Sequence, residues 1–95
     1  MSKPDRRWQI IVDRQPERVF RRLPKPLLQR IREKIWSLAE NPRPPGCKKL
    51  VGYDNLYRVR LGSWRVVYVI DDDQLVVLVV EVAHRSKAYR SLRRI

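Results

Sequence analysis

Leu56-Tyr57-Arg58-Val59-Arg60-Leu61-Gly62-Ser63-Trp64-Arg65-Val66-Val67-Tyr68-Val69-Ile70 is the stretch whose reading decides the fold. Residues of high strand propensity fill it on both sides of Gly62-Ser63. A two-residue link with glycine first is the signature of a type II′ hairpin. Strands are therefore expected over residues 56–60 and 64–70, and a third over 75–82 after the polar connection Asp71-Asp72-Asp73-Gln74. The runs over 66–70 and 75–80 are apolar at nearly every position, which places those two strands inside a sheet rather than at its edge.

A turn at Gly62-Ser63 also sets the pairing. Leu61 then faces Trp64, Arg60 directly opposes Arg65, and Arg58 lies two residues back on the same face. Like charges directly opposite one another across a strand pair are destabilising, and a guanidinium cannot shed its proton in relief. Local conflict of this kind marks function, and a phosphate seated among the three side chains resolves it. The plainer alternative keeps each head in water with its stem packed, or pairs it with Glu81 or one of Asp71, Asp72 and Asp73.

Working outward, Trp8-Gln9-Ile10-Ile11-Val12 reads as a first strand. A short helix follows over residues 17–23, with Pro16 suited to its first turn and Val19, Phe20 and Leu23 on one side. A longer helix runs from Pro26 to about Glu40, carrying Leu28, Ile31, Ile35, Leu38 and Ala39 at helical spacing as its core stripe, and Asn41-Pro42 ends it. A last short helix is expected from Ser86 to about Arg93. The order β-α-α-β-β-β-(α) implies an α+β fold: a twisted, mostly antiparallel four-stranded sheet with two helices packed on one face.

The 95 residues make one domain, 1–95, and carry 22 basic against 10 acidic side chains, a formal charge of +12. Arg and Lys are threaded through the periodic segments rather than gathered in a tail, so the folded surface itself should seek a polyanion. A lone Cys47 excludes an intramolecular disulfide and suits a reducing cytoplasm. No apolar stretch has the length of a signal peptide or a membrane span. With one His (His84), one Cys and no paired carboxylates at ligand spacing, no metal site is expected, and three scattered glycines make no phosphate loop. His84 has an intrinsic pKa suited to proton transfer. Arg85 and Tyr89, four residues apart, share a helical face.

Three blocks resemble the RelE-type toxins of the RelE/ParE superfamily. They are Asn41-Pro42-Arg43-Pro44-Pro45-Gly46-Cys47-Lys48-Lys49-Leu50-Val51-Gly52, the stretch from Leu56 to Tyr68, and Val82-Ala83-His84-Arg85-Ser86-Lys87-Ala88-Tyr89-Arg90. The resemblance implies a fold like that of small microbial RNases. It also implies the toxin half of a type II toxin–antitoxin pair, acting in the cytoplasm as a ribosome-dependent, metal-independent endoribonuclease without cofactor. In that chemistry the ribose 2′-OH of A-site mRNA attacks the adjacent phosphorus and the 5′-oxygen leaves. By position, Arg58 and Arg60 fall on the family's basic second-strand residues, Arg65 on its phosphate-binding Arg, Arg85 on the Arg after the last strand, and Tyr89 on the base-stacking Tyr. Lys48, Lys49, Arg90, Arg93 and Arg94 are the further residues expected to hold RNA or ribosome.

One departure stands out. The best-known pattern has Lys at the second-strand positions, one of them proposed as general base, whereas Arg58 and Arg60 stay protonated. Proton transfer is then left to His84 or Tyr89, or to ribosomal positioning of the 2′-OH. The expected partners are a cognate antitoxin, acidic or amphipathic, and the ribosome with its message, with no membrane and no small-molecule cofactor. Two other readings share the chain: a ParE-like toxin that inhibits DNA gyrase, whose relatives generally lack the Arg/Arg/Tyr set, and a weakly toxic RNA- or ribosome-binding homologue without cleavage.

Overall fold

A computed structural model describes residues 8–86. The expected last helix lies, apart from Ser86, outside the described residues. The elements are β1 (Gln9–Val12), α1 (Arg14–Phe20), α2 (Lys25–Ser37), β2 (Lys48–Lys49), β3 (Leu56–Leu61), β4 (Trp64–Asp71) and β5 (Val76–His84). They form one sheet of order β1-β5-β4-β3-β2, antiparallel except for the parallel β1·β5 pair. The two long apolar strands, β4 and β5, are interior, as their composition demands. The sheet has five strands rather than four. The additional β2 is two residues long, too short for any periodic signal, and its Lys-Lys sequence has little strand propensity. Pairing with β3 defines it, and the Leu50 N–H to Leu56 carbonyl bond of 2.8 Å extends that pairing by one step.

Capping and backbone geometry move the element boundaries. Asp13 caps α1, its carboxylate accepting from the Arg14 N–H at 2.8 Å, so this helix begins three residues earlier than Glu17 and ends at Phe20. The second helix stops at Ser37. Leu38, Ala39 and Glu40 continue it only through tighter bonds to Ile35, Trp36 and Ser37. Leu75 sits at φ 57°, a left-handed conformation no strand accommodates, and β5 therefore starts at Val76. At the hairpin, Gly62 alone takes positive φ (62°) and Ser63 does not, as a type II′ turn requires.

Ile31, Ile35 and Leu38 of the α2 region pack against Val59, Val66, Tyr68, Ile70, Val77, Val79 and Val82 on one face of the sheet. Leu27 closes the near end of this stripe. Leu28, which the spacing had put in the core, is only half buried and lies on the outer side with Gln29, Arg32 and Trp36. Helix α1 is clamped to β5 by a side chain that mimics a strand. The amide of Gln15 donates to the Val82 carbonyl at 3.1 Å and accepts from the Val82 N–H at 2.9 Å. The β1·β5 register ends at Val12↔Val79, so Gln15 satisfies backbone that β1 does not reach.

The loop after α2 is tied down by two aromatic residues and an ion pair. Tyr68, fully buried, donates from its hydroxyl to the Pro42 carbonyl at 2.8 Å and stacks on Tyr57 with centroids 6.1 Å apart. Burial, followed by the nearby Cys47 thiol, raises the Tyr68 hydroxyl well above the ordinary phenol range. Arg43 lies over the Tyr57 ring, donates to its hydroxyl at 3.3 Å, and grips Asp72 with two nitrogens at 3.0 and 3.3 Å. The hydrogen bond from Arg43 holds the Asp72 carboxyl below its usual range, and the same bond, then the one to Tyr57, raises Arg43 further.

Two stability outcomes follow from these contacts. Tyr68→Phe strands a buried carbonyl and should cost about 1–2 kcal/mol, read as a lower urea midpoint at unchanged slope. A depressed carboxyl contributes stability that is present above its unfolded pKa and is lost as pH falls through the folded one. Asp72→Asn should therefore lower the thermal midpoint at pH 7, and the gap to wild type should close as pH falls below about 4 and shrink in high salt.

Candidate nucleic-acid interface and active site

The strand pleat sorts the residues of β3 and β4 into two sets. Val59, Val66 and Tyr68 face the helices, so Arg58, Arg60 and Arg65, which alternate with them, face the other way. Arg60 opposes Arg65 and Leu61 opposes Trp64, the pairing the hairpin sequence demands. Directly opposed Cβ atoms are about 4.5–5.5 Å apart, so two guanidinium groups leave the sheet side by side. The short β2 adds a residue to this face, because Lys48 is in register with Arg58. Four cations thus occupy the hairpin end of one face. Lys49, opposite Tyr57, projects to the other side.

A bulge in β5 completes the arrangement. Val67 pairs with Glu81 and Tyr68 with Val79, leaving Val80 as the extra residue. Val77, Val79 and Val82 all belong to the helix-packed core. Strict alternation from Val77 and Val79 would have turned Glu81 inward toward the helices. The bulge flips it onto the arginine face, where it is 2% exposed. Lys48, Arg58, Val67 and Glu81 then form one row across four strands, and Arg60, Arg65 and Ala83 form the next. In the sequence, Glu81 is one of several carboxylates open to pairing with the arginines. Nothing in its spacing showed which face it would take.

Arg58 is 8% exposed, and its Nε–H is buried without a hydrogen-bond partner among the described residues. An orphan buried donor costs about 1–3 kcal/mol, a penalty consistent with a site shaped for a ligand rather than for stability alone. Arg60 is exposed and Arg65 half buried. Arg85 joins the same end of the sheet through its main chain, the N–H donating to the Ser63 carbonyl of the hairpin tip at 2.7 Å.

His84 is not brought into this group. It opposes Trp64, which packs against the helix-side core, and its ring meets the indole edge-on at 5.8 Å. Its Nδ1 lies 3.3 Å from Ser86 Oγ. The sheet stands between the imidazole and the three strand arginines, because His84 is one residue out of phase with Ala83, which pairs with Arg65 on the arginine face. Tyr89, Arg90, Arg93 and Arg94 lie outside the described residues. Among the described residues, no three or more His, Cys, Asp or Glu side chains come together as metal ligands.

The patch can bind an anion by charge-assisted contacts and can stabilise charge developing on it. Its three arginines cannot take a proton. A helix-backed sheet with a cationic outer face defines this as a small basic α+β domain. Over residues 10–89 the chain matches the family described as “ParE toxin of type II toxin-antitoxin system, parDE”. It belongs to the RelE/ParE toxin superfamily, on the RelE-like side. It is 36% identical over 72 residues to “Putative toxin RelE1” of Methanocaldococcus jannaschii, covering 73% of this chain and 80% of that one. It is 30% identical over 71 residues to “mRNA interferase toxin RelE” of Escherichia coli, covering 73% and 74%. Among solved structures it resembles the RelE of the archaeal RelE–RelB complex from Pyrococcus horikoshii. That match has a TM-score of 0.74 and 28% identity, over 85% of this chain and 98% of that one.

A patch built against its own repulsion should trade stability for binding. Arg60→Thr should raise folding stability by about 0.5 kcal/mol. The same change should weaken binding to single-stranded RNA and reduce the salt slope of log K by roughly 0.7 per lost phosphate contact, measured by fluorescence titration across salt.

Proposed function

We propose that this protein is the toxin of a type II toxin–antitoxin pair and an endoribonuclease, an mRNA interferase that cuts message in the ribosomal A site. The observation that carries the reading is the in-register opposition of Arg60 and Arg65, with Arg58 and Lys48 on the same face. A protein that needed only a stable hairpin has no use for it. The scissile phosphate sits among these guanidinium groups, which neutralise the charge of the phosphorane as the 2′-OH attacks and the 5′-oxygen leaves. Arg85 approaches from the chain after β5, and Tyr89 stacks on a base. Lys49, Arg90, Arg93 and Arg94 contact RNA or ribosome through their charge. The chemistry runs without metal or other cofactor, in the cytoplasm. No helix among the described residues is long and apolar enough to cross a membrane.

The ribosome supplies the orientation that an open cationic face lacks. The inhibitor is a cognate antitoxin, acidic or amphipathic. Trp36, 61% exposed on α2, offers such a segment an apolar anchor with Arg32, Lys25 and Glu33 around it. The family description names ParE, which favours gyrase inhibition as the second reading.

Primer extension on translating ribosomes separates the two. The purified protein should produce cuts within A-site codons, and Arg65→Ala and Arg85→Ala should each lower the cleavage rate at least about fivefold, roughly 1 kcal/mol of transition-state stabilisation. Intact message together with inhibited gyrase supercoiling would replace this reading with the second.

A further inference from the structure

The cleavage proposed above needs a group that accepts the 2′-OH proton; Tyr89 lies outside the described residues, and among the described strands the arginine face is where such a group can meet the phosphate. Arg58, Arg60 and Arg65 are excluded by their chemistry, and His84 by its place on the opposite side of the sheet. Three other titratable side chains of the described strands share the arginine face: Lys48, Glu81 and Asp71. Asp71 pairs with Val76 at the far end of β4, six residues or about 20 Å from Arg65. Glu81, at 2% exposed, offers no surface to a ribose. Lys48 is exposed, directly opposite Arg58, and on an edge strand with no described strand beyond it.

We propose that Lys48 is the proton acceptor of the cleavage reaction, an inference that rests on the endoribonuclease reading above. The residue facing it directly is Arg58 of β3, with Arg60 on the diagonal. Glu81 ends the same row three strands away, about 14 Å at the usual strand spacing. Lys48 and the three arginines leave the same face of the sheet, so a phosphate held by Arg58, Arg60 and Arg65 lies beside β2. In the step, the uncharged amine of Lys48 takes the proton of the 2′-OH and becomes an ammonium. The 2′-oxygen bonds to phosphorus, the P–O5′ bond breaks, and the departing 5′-oxygen takes a proton from water. The products are a 2′,3′-cyclic phosphate and a 5′-hydroxyl, and the ammonium returns its proton to solvent. An amine has this capacity and a guanidinium does not, although both bear the same charge when protonated. The reactive amine absent from β3 is thus supplied by the neighbouring strand.

Lys48→Arg tests this, since it keeps charge and size and removes the removable proton. Single-turnover cleavage of ribosome-bound message is followed by primer extension from pH 6 to 9, alongside the Kd for the programmed ribosome and the thermal midpoint. The wild type should show a log rate rising with unit slope as pH increases. Lys48→Arg should lose that rise and cleave at least about a hundredfold more slowly, with affinity and midpoint unchanged. The proposal is overturned if Lys48→Arg cleaves within threefold of wild type on the same pH profile, or if its loss comes with weakened ribosome affinity or a lowered midpoint. A wild-type chain that leaves message intact fails differently: it removes the nuclease reading itself, and this assignment with it.

Discussion

The register of β3 against β4 is the constraint on which the rest of this structure depends. A two-residue turn with Gly62 in the left-handed region admits only one alignment, and a slip by a single residue would turn every side chain to the other face. That alignment buries Val59 against Val66 beneath the helices and, by the same stroke, sets Arg60 against Arg65 on the opposite side. The core and the cationic patch are therefore not independent designs. The apolar face holds the pair of strands together strongly enough to tolerate repulsion on the other face.

Two further devices make the patch a site rather than a stripe of charge. The bulge at Val80 changes the parity of β5 midway, so one strand packs Val77, Val79 and Val82 on the helices and still presents Glu81 to the arginines. A buried carboxylate on the same face as the arginines lowers the electrostatic cost of gathering cations. The two-residue β2 brings Lys48 into the row at the sheet's edge, where an exposed lysine also discourages pairing with another chain. Its position depends on the loop that precedes it, which Arg43, Tyr57, Tyr68 and Asp72 fasten to the sheet.

Placing His84 on the helix side changes the chemical picture drawn from residue identity alone. A histidine next to an arginine in sequence looks like a neighbour in space, yet consecutive strand residues face opposite ways. The imidazole is engaged with Trp64, while Arg85 begins where β5 has ended and is tied by its backbone to the hairpin tip. The division leaves the arginines with charge to offer and no proton acceptor of their own, which is why an amine on an adjacent strand acquires significance.

Strand propensity, the Gly62-Ser63 turn and the doubly apolar runs made β3, β4 and β5, their order inside the sheet and the Arg60–Arg65 opposition legible in the sequence alone. These signals are local, and a two-residue turn converts them directly into pairing. Helix α2 was equally readable, although the choice between Leu27 and Leu28 was not, because the two are about 100° apart and flank the Ile31, Ile35 and Leu38 stripe on either side, so packing decides between them. Three features belong to tertiary structure alone. Lys48–Lys49 becomes a strand only because β3 offers it hydrogen bonds. The bulge reverses the faces of β5 without any change in residue type to announce it. Gln15 substitutes for a strand only because α1 falls where β1 runs out. Each rests on contacts between segments far apart in the chain, where neither spacing nor propensity carries information.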